Sequence, residues 1–437
     1  MSLLNQQIKE YNISKFVIHS TDGTKNCDVT GGFARLQYTE SILENYLKLS
    51  VTIADTGYSV NKDGELVGLI EGLGLSGTEF VELKLEDGLG NVLNFSIQEG
   101  TALRIIKIRN SVIDNESMVF TLDLATTEYL ENKFVDKRVS GSFSGKVSES
   151  VKKILTEYLN TEKTLHIEET ANSYNFTGKE TDTPFYKCTW LGKRSIPTTP
   201  GANEKTAGFF FFETYDGFNF KSIEKLFDQR NYKKYIRNNS TYCPPGYDAK
   251  ILEAVPSIDI DIEQKMDTGA YGSKVETINY FDSAYKQSTV SSDEDAFNLG
   301  GLELPKFSPE FYTVDGANRA TRLFSKLQPI GMSQAINKEK SKEKDYDIES
   351  TTAQAAIRYN QLYTMTLTIT VAGDLSHRAG DLIFCDFPKL TSAKTRTVSA
   401  RNSGIYMIAD LTQFISARDG IYTKMNLVRD SFGRKPF

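Results

Sequence analysis

Hydrophobic and polar positions alternate with a period of two along much of the first 125 residues. In residues 47–54, Leu47, Leu49, Val51 and Ile53 point one way and Lys48, Ser50 and Thr52 the other, the pattern of a strand with one buried face. Residues 15–20, 80–85, 92–97, 103–108 and 118–124 share this character. Thr21-Asp22-Gly23, Asp63-Gly64, Asp87-Gly88 and Gly90-Asn91 supply turns between such runs. Short strands at this spacing predict a barrel or sandwich over 1–125.

The period changes near residue 125. Residues 125–133 read as helical. Residues 148–160 put Val151, Ile154, Leu155, Tyr158 and Leu159 on one stripe, with Ser148 as the N-cap. Thr183-Pro184 starts a further helix within 181–196, so an α-containing insertion is expected over 126–205. β character returns at Phe209-Phe210-Phe211-Phe212, apolar on both faces. Tyr215-Asp216-Gly217 turns it and Phe218-Asn219-Phe220 answers, a hairpin suited to the middle of a packed sheet.

Longer strands are expected at 251–263 and 274–280. Residues 282–350 are mixed. Within them, 337–350 set Lys338, Lys340, Lys342 and Lys344 among five acids, the pattern of a solvated linker. Ser350 reads as the cap of a helix through Tyr363, and strands follow at 364–371, 381–386, 404–415 and 421–428. The chain is thus α+β but mainly β, in the order β (1–125), insertion (126–205), β (206–281), insertion or linker (282–350), β (351–437).

Composition narrows the function classes. The 437 residues carry 51 basic and 57 acidic side chains, a net charge of −6, where a dedicated nucleic-acid binder would be basic. An apolar share of 39% argues against a disordered chain. There are 22 Tyr and 26 Phe but one Trp (Trp190) and three His (His19, His166, His377), which suits β packing better than acid–base chemistry. Cys27, Cys188, Cys243 and Cys385 lie far apart without a C-x-x-C spacing and read as buried free thiols. The polar start lacks the apolar core of a signal peptide and no run approaches a membrane span. A soluble protein made in a reducing cytoplasm, without stable membrane insertion, is expected.

Three groups of residues carry candidate chemistry. Gly72, Gly74 and Gly77 spell G-x-G-x-x-G. A dinucleotide site needs a helix after the third glycine, whereas a strand from Phe80 follows, so a flexible hairpin loop is expected. Asp259, Asp261 and Glu263 alternate with Ile258, Ile260 and Ile262, which puts three carboxylates on one strand face. Such a face could hold a hard cation or do acid–base work. No calcium-loop glycine is in register, however, and Lys265 offsets part of the charge, so a solvated or lumen-facing stripe is expected. Asp374, His377 and Asp381 in VAGDLSHRAGDLI could form a relay, but their place between two strands reads as a turn. No G-x-S-x-G, P-loop or H-E-x-x-H occurs. The residues therefore predict a non-enzymatic protein with no catalytic residue, no cofactor and no metal.

Three segments are familiar as a set: ARLQYTESILENYLKLSVTIADTG (34–57), FFFFETYDGFNFKSIEKLF (209–227) and YTMTLTITVAGDLSHRAGDLIFCDFP (363–388), with SGIYMIADLTQFI (403–415) after the last. In this order and spacing they resemble the central baseplate hub proteins of contractile-tailed bacteriophages of the T-even type. Those hubs are related to the N-terminal part of type VI secretion spike proteins. The helix at 148–160 also falls where such hubs carry one.

The resemblance implies two similar tube-type β-barrels in one chain, the first over 1–125 and the second combining 206–281 with 351–437. Three chains would set six barrels in a pseudo-sixfold ring matching the sixfold tail tube. The inserted regions would keep threefold symmetry and seat a trimeric spike. The implied partners are further copies of the chain as a homotrimer, the spike, tail tube or tube-initiator proteins and the tape measure protein. DNA would pass through the ring without being held. The implied location is the tail baseplate of a virion, assembled in the host cytoplasm.

Such a role needs strand edges that pair between neighbours, a large interface and a bore that does not grip phosphate. The Asp259, Asp261 and Glu263 face is the lumen candidate. Up to Phe437 the sequence shows no OB-fold, no repetitive β-helix and nothing resembling a lysozyme domain, so the spike is expected to be a separate polypeptide. Two other readings stand beside this one. A tail-associated cell-wall or polysaccharide hydrolase would rest on the acidic strand, and a receptor- or carbohydrate-binding tail module on the Tyr-rich β composition.

Overall fold

The computed structural model describes residues 10–114, 117–198, 207–240, 242–257, 262–279, 284–291, 308–311, 319–327, 348–389, 391 and 397–431. The first β unit comprises β1 (Tyr11–His19), β2 (Asn26–Asp28), β3 (Phe33–Ser41), β4 (Lys48–Asp55), β5 (Val60–Lys62), β6 (Glu65–Val67), β7 (Phe80–Asp87), β8 (Val92–Phe95), β9 (Leu103–Asp114) and β10 (Ser117–Ala125). Every strand expected here forms. In β4 the burial alternates as the sequence requires, with Leu49, Val51 and Ile53 inside. Asp63 and Gly64 sit at φ 55° and 90°, the left-handed pair that a tight two-residue hairpin needs between β5 and β6.

The middle region contributes β11 (Gly141–Phe143), β12 (Leu165–Ile167), β13 (Phe176–Gly178) and helices at Thr127–Glu131, Val147–Lys153 and Pro184–Gly192. Thr183 caps the last of these, its hydroxyl accepting the Tyr186 N–H at 3.2 Å, with Pro184 in the first turn. Ser148 is not a cap. The helix already starts at Val147 after Lys146, and Ser148 is buried with its N–H donating to Thr170 Oγ1 at 3.1 Å. The winding then widens to a π turn over Ile154–Tyr158, while Val151, Ile154, Leu155 and Leu159 keep their buried stripe.

Next come β14 (Phe209–Thr214) and β15 (Gly217–Ser222), in which all of β14 is buried. Their pairing differs from expectation. β15 lies between β14 and β12 in a separate three-stranded sheet, so the hairpin is no strand of the second large sheet. It forms a wall instead. Phe209, Phe211, Phe218 and Phe220 face the helices of the middle region, while Phe210 and Phe212 pack with Leu226, Leu382 and Met407 on the other side. A strand with an apolar cluster on each face must be apolar at every position.

The second β unit begins with β16 (Lys233–Ile236), β17 (Ala249–Lys250) and β18 (Glu253–Ser257). The strand expected over 251–263 stops at Ser257, and Ile262–Thr268 is a helix. Ile262 and Glu263 therefore do not continue an alternating strand face; Asp259 and Asp261 lie outside the described residues. β19 (Gly272–Asn279), β20 (Ala284–Ser291) and β21 (Arg322–Leu327) then form a three-stranded sheet where a linker had been expected from 282 on. Val275 and Val290 of this sheet pack on Ala353 and Ile357 of the helix Ile348–Leu362. Ser350 falls inside that helix, which begins before it; most of 337–350 lies outside the described residues. β22 (Met365–Ala372), β23 (Leu382–Asp386), β24 (Gly404–Ser416) and β25 (Gly420–Arg429) complete the unit.

The hydrogen-bond ladders show that the two units repeat one another. The first runs β3–β4–β10–β9–β7–β1 and the second β18–β22–β25–β24–β23–β16, with all six matched strands in the same chain order. The register matches as well. Asp123 pairs with Lys107 and Leu124 with Ile105, so Ile106 is skipped as a bulge; Asn426 pairs with Asp410 and Leu427 with Ile408, so Ala409 is skipped. A cross-strand bond repeats too: Ser50 Oγ donates to Asp123 at 2.6 Å, and Thr368 Oγ1 to Asn426 at 2.9 Å.

The units differ at their far ends, where β1 is antiparallel to β7 but β16 is parallel to β23. Among the described residues neither sheet closes into a ring of paired strands. The nearest approach is the segment from β17 to β18, where Ile251 N–H reaches Ile236 O and Leu252 N–H reaches Thr370 O, each at 2.9 Å.

Candidate functional site at the junction of the two sheets

β24 is 13 residues long, more than β23 can cover. Gly404–Met407 pairs with β23, and the remainder, Asp410–Ser416, pairs antiparallel with β3, from Ser41 to Arg35. One edge of the second sheet is thereby fused to one edge of the first, and a single ladder crosses both units.

Buried acids pin this joint. Leu36, Tyr38 and Glu40 share the inward parity of β3, and Glu40 is buried. Its carboxylate accepts the Tyr215 and Ala379 N–H groups, both at 2.8 Å, and the Tyr38 hydroxyl. Burial pushes the Glu40 carboxyl up to about 7, against the opposing pull of Arg378. Asp87, at the end of β7, holds its own turn through Leu89 and Asn91 and also accepts the Leu375 N–H at 2.7 Å. Glu213 ties β14 to the first sheet, accepting from Leu47 N–H at 3.1 Å and Thr126 Oγ1 at 3.0 Å, with Lys163 Nζ at 2.6 Å. Sequence reading named Asp87 only as a turn residue and missed Glu40 and Glu213. Glu40 had a signal, its i, i+2 parity with Leu36 and Tyr38.

Asp374, His377 and Asp381 lie in the connection between β22 and β23, a turn as expected, and this turn is what docks on the first sheet. Tyr235 Oη lies 2.5 Å and Asp374 Oδ2 3.4 Å from His377, both at the same ring nitrogen, Nε2. A relay needs its carboxylate and its nucleophile on opposite nitrogens, so this is no relay. Burial lowers the His377 pKa to about 4, leaving a neutral ring at pH 7. Burial would raise Asp374, but His377 and Lys233 beside it hold it below the usual range. Asp381 stands apart from the pair. It accepts the Arg378 N–H at 2.9 Å, and burial lifts it to about 6. Arg378 in turn pairs with Asp216 at 3.0 Å and lies over the Tyr215 ring.

The glycine motif is also spoken for. Gly74, at φ 62°, ends the short helix Leu69–Leu73, so the helix precedes the loop instead of following it. The Ser76 and Gly77 N–H groups that a phosphate would need already donate to Glu79, at 2.6 and 3.0 Å. Among the described residues no cluster of three or more His, Cys, Asp and Glu could hold a metal, and no helix is long and apolar enough to cross a membrane. The four cysteines are unbridged, and burial raises the Cys188 and Cys385 thiols.

No family model matches this chain and no curated protein matches its sequence. Solved structures do match. The 43 kDa tail protein of prophage MuSo2 from Shewanella oneidensis superposes with a TM-score of 0.52 at 10% identity, covering 96% of this chain and 99% of that one. A tail protein from Neisseria meningitidis MC58 gives the same score and identity, covering 96% of each chain. The fold is that of these tail proteins. The shared tail-protein fold spans both sheets and the middle region, so the junction lies within its frame. An E. coli component of the type VI secretion system superposes at a TM-score of 0.45 and 9% identity over 98% of this chain and 78% of that one.

Proposed function

We propose that this chain is a structural hub of a phage tail baseplate, acting without catalysis. The observation that carries the reading is the tail-protein fold, held over 96% of the chain with two sheet units of matching register. Two like units in one chain give three copies six units, which adapts a sixfold tail tube to a threefold spike. Each unit is taken to curl into a tube-type barrel. In the second, the β17–β18 segment bonding to both β16 and β22 supports that shape.

In this reading the homotrimer binds a trimeric spike on one side and tail tube, tube-initiator or tape measure proteins on the other. DNA passes through its bore. The net charge of −6 suits a channel that repels phosphate, and Asp259, Asp261 and Glu263 are proposed to face it. Replacing all three by Lys slows genome ejection from assembled particles; unchanged ejection removes them from the bore.

The deciding experiment is solution mass by light scattering, alone and with a co-expressed spike. The hub reading expects about three times the 49.0 kDa chain mass. A strict monomer under both conditions overturns it.

A further inference from the structure

The two sheets share a register but not their surroundings. The outer edge of β24 from Asp410 to Ser416 is covered by β3. Its counterpart in the first sheet is β9, which past Ile105 pairs among the described residues with β10 alone. The counterpart of β3 is β18, and among the described residues β18 pairs with β22 alone. Among its described residues, one chain therefore holds a filled joint and both halves of an unfilled one.

We propose that β9 of one copy pairs antiparallel with β18 of the next, as β24 pairs with β3 within the chain. This rests on the hub reading and names the surface by which the copies join. Unpaired strand edges of this length are templates for another strand, and here the chain itself displays the geometry that fills them.

The repeat fixes which residues meet. In the filled joint Phe414 stands opposite Gln37. Phe414 pairs with Tyr422 on β25, four residues before Asn426; Val119 stands four before Asp123 on β10 and pairs with Val112. Val112 is thus the counterpart of Phe414 through its β10 partner, although a second bulge in β9 between Arg109 and Val112 sets it five residues past Lys107 where Phe414 is four past Asp410. Gln37 pairs with Ser50 and Val255 with Thr368, and Ser50 and Thr368 are themselves matched through Asp123 and Asn426. Val255 is thus the counterpart of Gln37.

The unfilled joint therefore sets Val112 against Val255. These two valines are 65% and 66% exposed and Val119 beside Val112 is 36% exposed, whereas the inward-facing Val51 and Val371 are fully covered. Pro256 offers no N–H to either neighbour, so this joint makes fewer bonds than the inner one. Because its halves are two different surfaces, the contact is head-to-tail. A ring closes when the rotation across it repeats the rotation across the inner joint.

Paired positions on neighbouring strands lie close enough for a disulfide. The test is oxidation by copper–phenanthroline of the full chain carrying Val112→Cys and Val255→Cys, read on a non-reducing gel beside light scattering. The parent and each single variant serve as controls for the half-buried Cys243. The one-chain band of the double variant shifts to two- and three-chain bands that a reductant reverses. The single variants stay at one chain, and a mixture of the two singles stops at two.

As a second measurement, the amides of 106–113 exchange more slowly in the oligomer than in dissociated chains. A trimer by mass that forms no such cross-link, or a Val112→Cys variant that links to itself, overturns this joint and leaves the hub reading standing. A monomer in every condition overturns both.

Discussion

The two β units carry one ladder twice, yet they are built in different ways. The first is a single stretch of chain whose strands follow one another through short turns. The second is gathered from β16–β18 and β22–β25, with a small sheet, a helix and the segments between them intervening. Register matches around the bulges at Ile106 and Ala409 and then diverges, because β9 carries a second bulge between Arg109 and Val112 that β24 lacks. What differs is how the pieces are fastened. The first unit leans on local turns, where Asp55 accepts Gly57 N–H at 3.0 Å and Asp87 accepts Asn91 N–H at 2.8 Å, with buried Glu82 of β7 meeting Lys15 and His19 of β1 at its outer side. The second needs charges that reach across the chain. Arg358, fully buried, pairs with Glu224 at 2.9 Å and with Asp430 at 3.0 Å, joining the helix Ile348–Leu362 to the end of the Phe-rich hairpin and to the end of β25. A discontinuous unit pays a larger loop-closure cost before its contacts form, and these buried ion pairs are where the extra fastening is visible.

The largest effect expected from this difference comes from Arg358→Met. It leaves Glu224 and Asp430 buried without their cation, and denaturant unfolding should show a loss of about 3–5 kcal/mol. Adding Glu224→Gln and Asp430→Asn recovers part of the loss. A cost near zero would mean that the second unit is held by packing without help from these pairs.

Next in size is the matched pair Leu122→Ala and Met425→Ala. These fully buried residues occupy equivalent positions on β10 and β25. Each should cost about 2–5 kcal/mol, and similar values in the two units would show that the repeat extends to packing.

A third test concerns the joint between the units. Burial raises the Glu40 carboxyl from 4.5 to about 7, so its contribution is present below pH 4.5 and is lost as pH rises through 7. Up to about 3 kcal/mol is at stake. Glu40→Gln keeps one acceptor oxygen, for Tyr215 or for Ala379 but not both, at a cost independent of pH, and removes the titration. From pH 4.5 to 7 the parent's stability should fall more steeply than the variant's; parallel curves would place the pH response elsewhere.

The smallest effect lies on the sheet surface. Ser50→Ala and Thr368→Val each remove one half of the repeated cross-strand bond, at about 0.5–1 kcal/mol. Unequal losses in thermal unfolding would trace to Arg109, which also bonds Ser50 and Asp123 in the first unit alone.

Much of this architecture could be read along the chain. The alternation of 47–54, the turns at Asp63-Gly64 and Asp87-Gly88, the Thr183-Pro184 start and the doubly apolar Phe209–Phe212 run all act within a few residues, and each appears where expected. The errors, though local in extent, had tertiary causes. Ser148 has the chemistry of a cap, but its hydroxyl and N–H are taken up by Thr170, which is brought alongside by the fold. Ile258–Glu263 keeps a strand-like alternation, yet from Ile262 the chain is helical; a period of two over six residues does not outweigh tertiary context. The site was less legible than the fold. Asp374, His377 and Asp381 announce a polar turn, but nothing in their sequence says that Asp87 and Glu40, about 290 and 340 positions away, take its amides.

By itself the sequence determined the mainly β class, most strand positions, the scarcity of acid–base chemistry and the acidic charge, because period, turn residues and composition are properties of neighbours in the chain. Only the tertiary structure decided that the Phe-rich hairpin walls off the second sheet and that β3 completes β24. It alone revealed that one ladder is written twice. Those facts rest on register between segments hundreds of residues apart, where Asp123 answers to Asn426 and Lys107 to Asp410. Hydrogen-bond register is a relation between backbones, and it survives while the side chains that a sequence displays are exchanged.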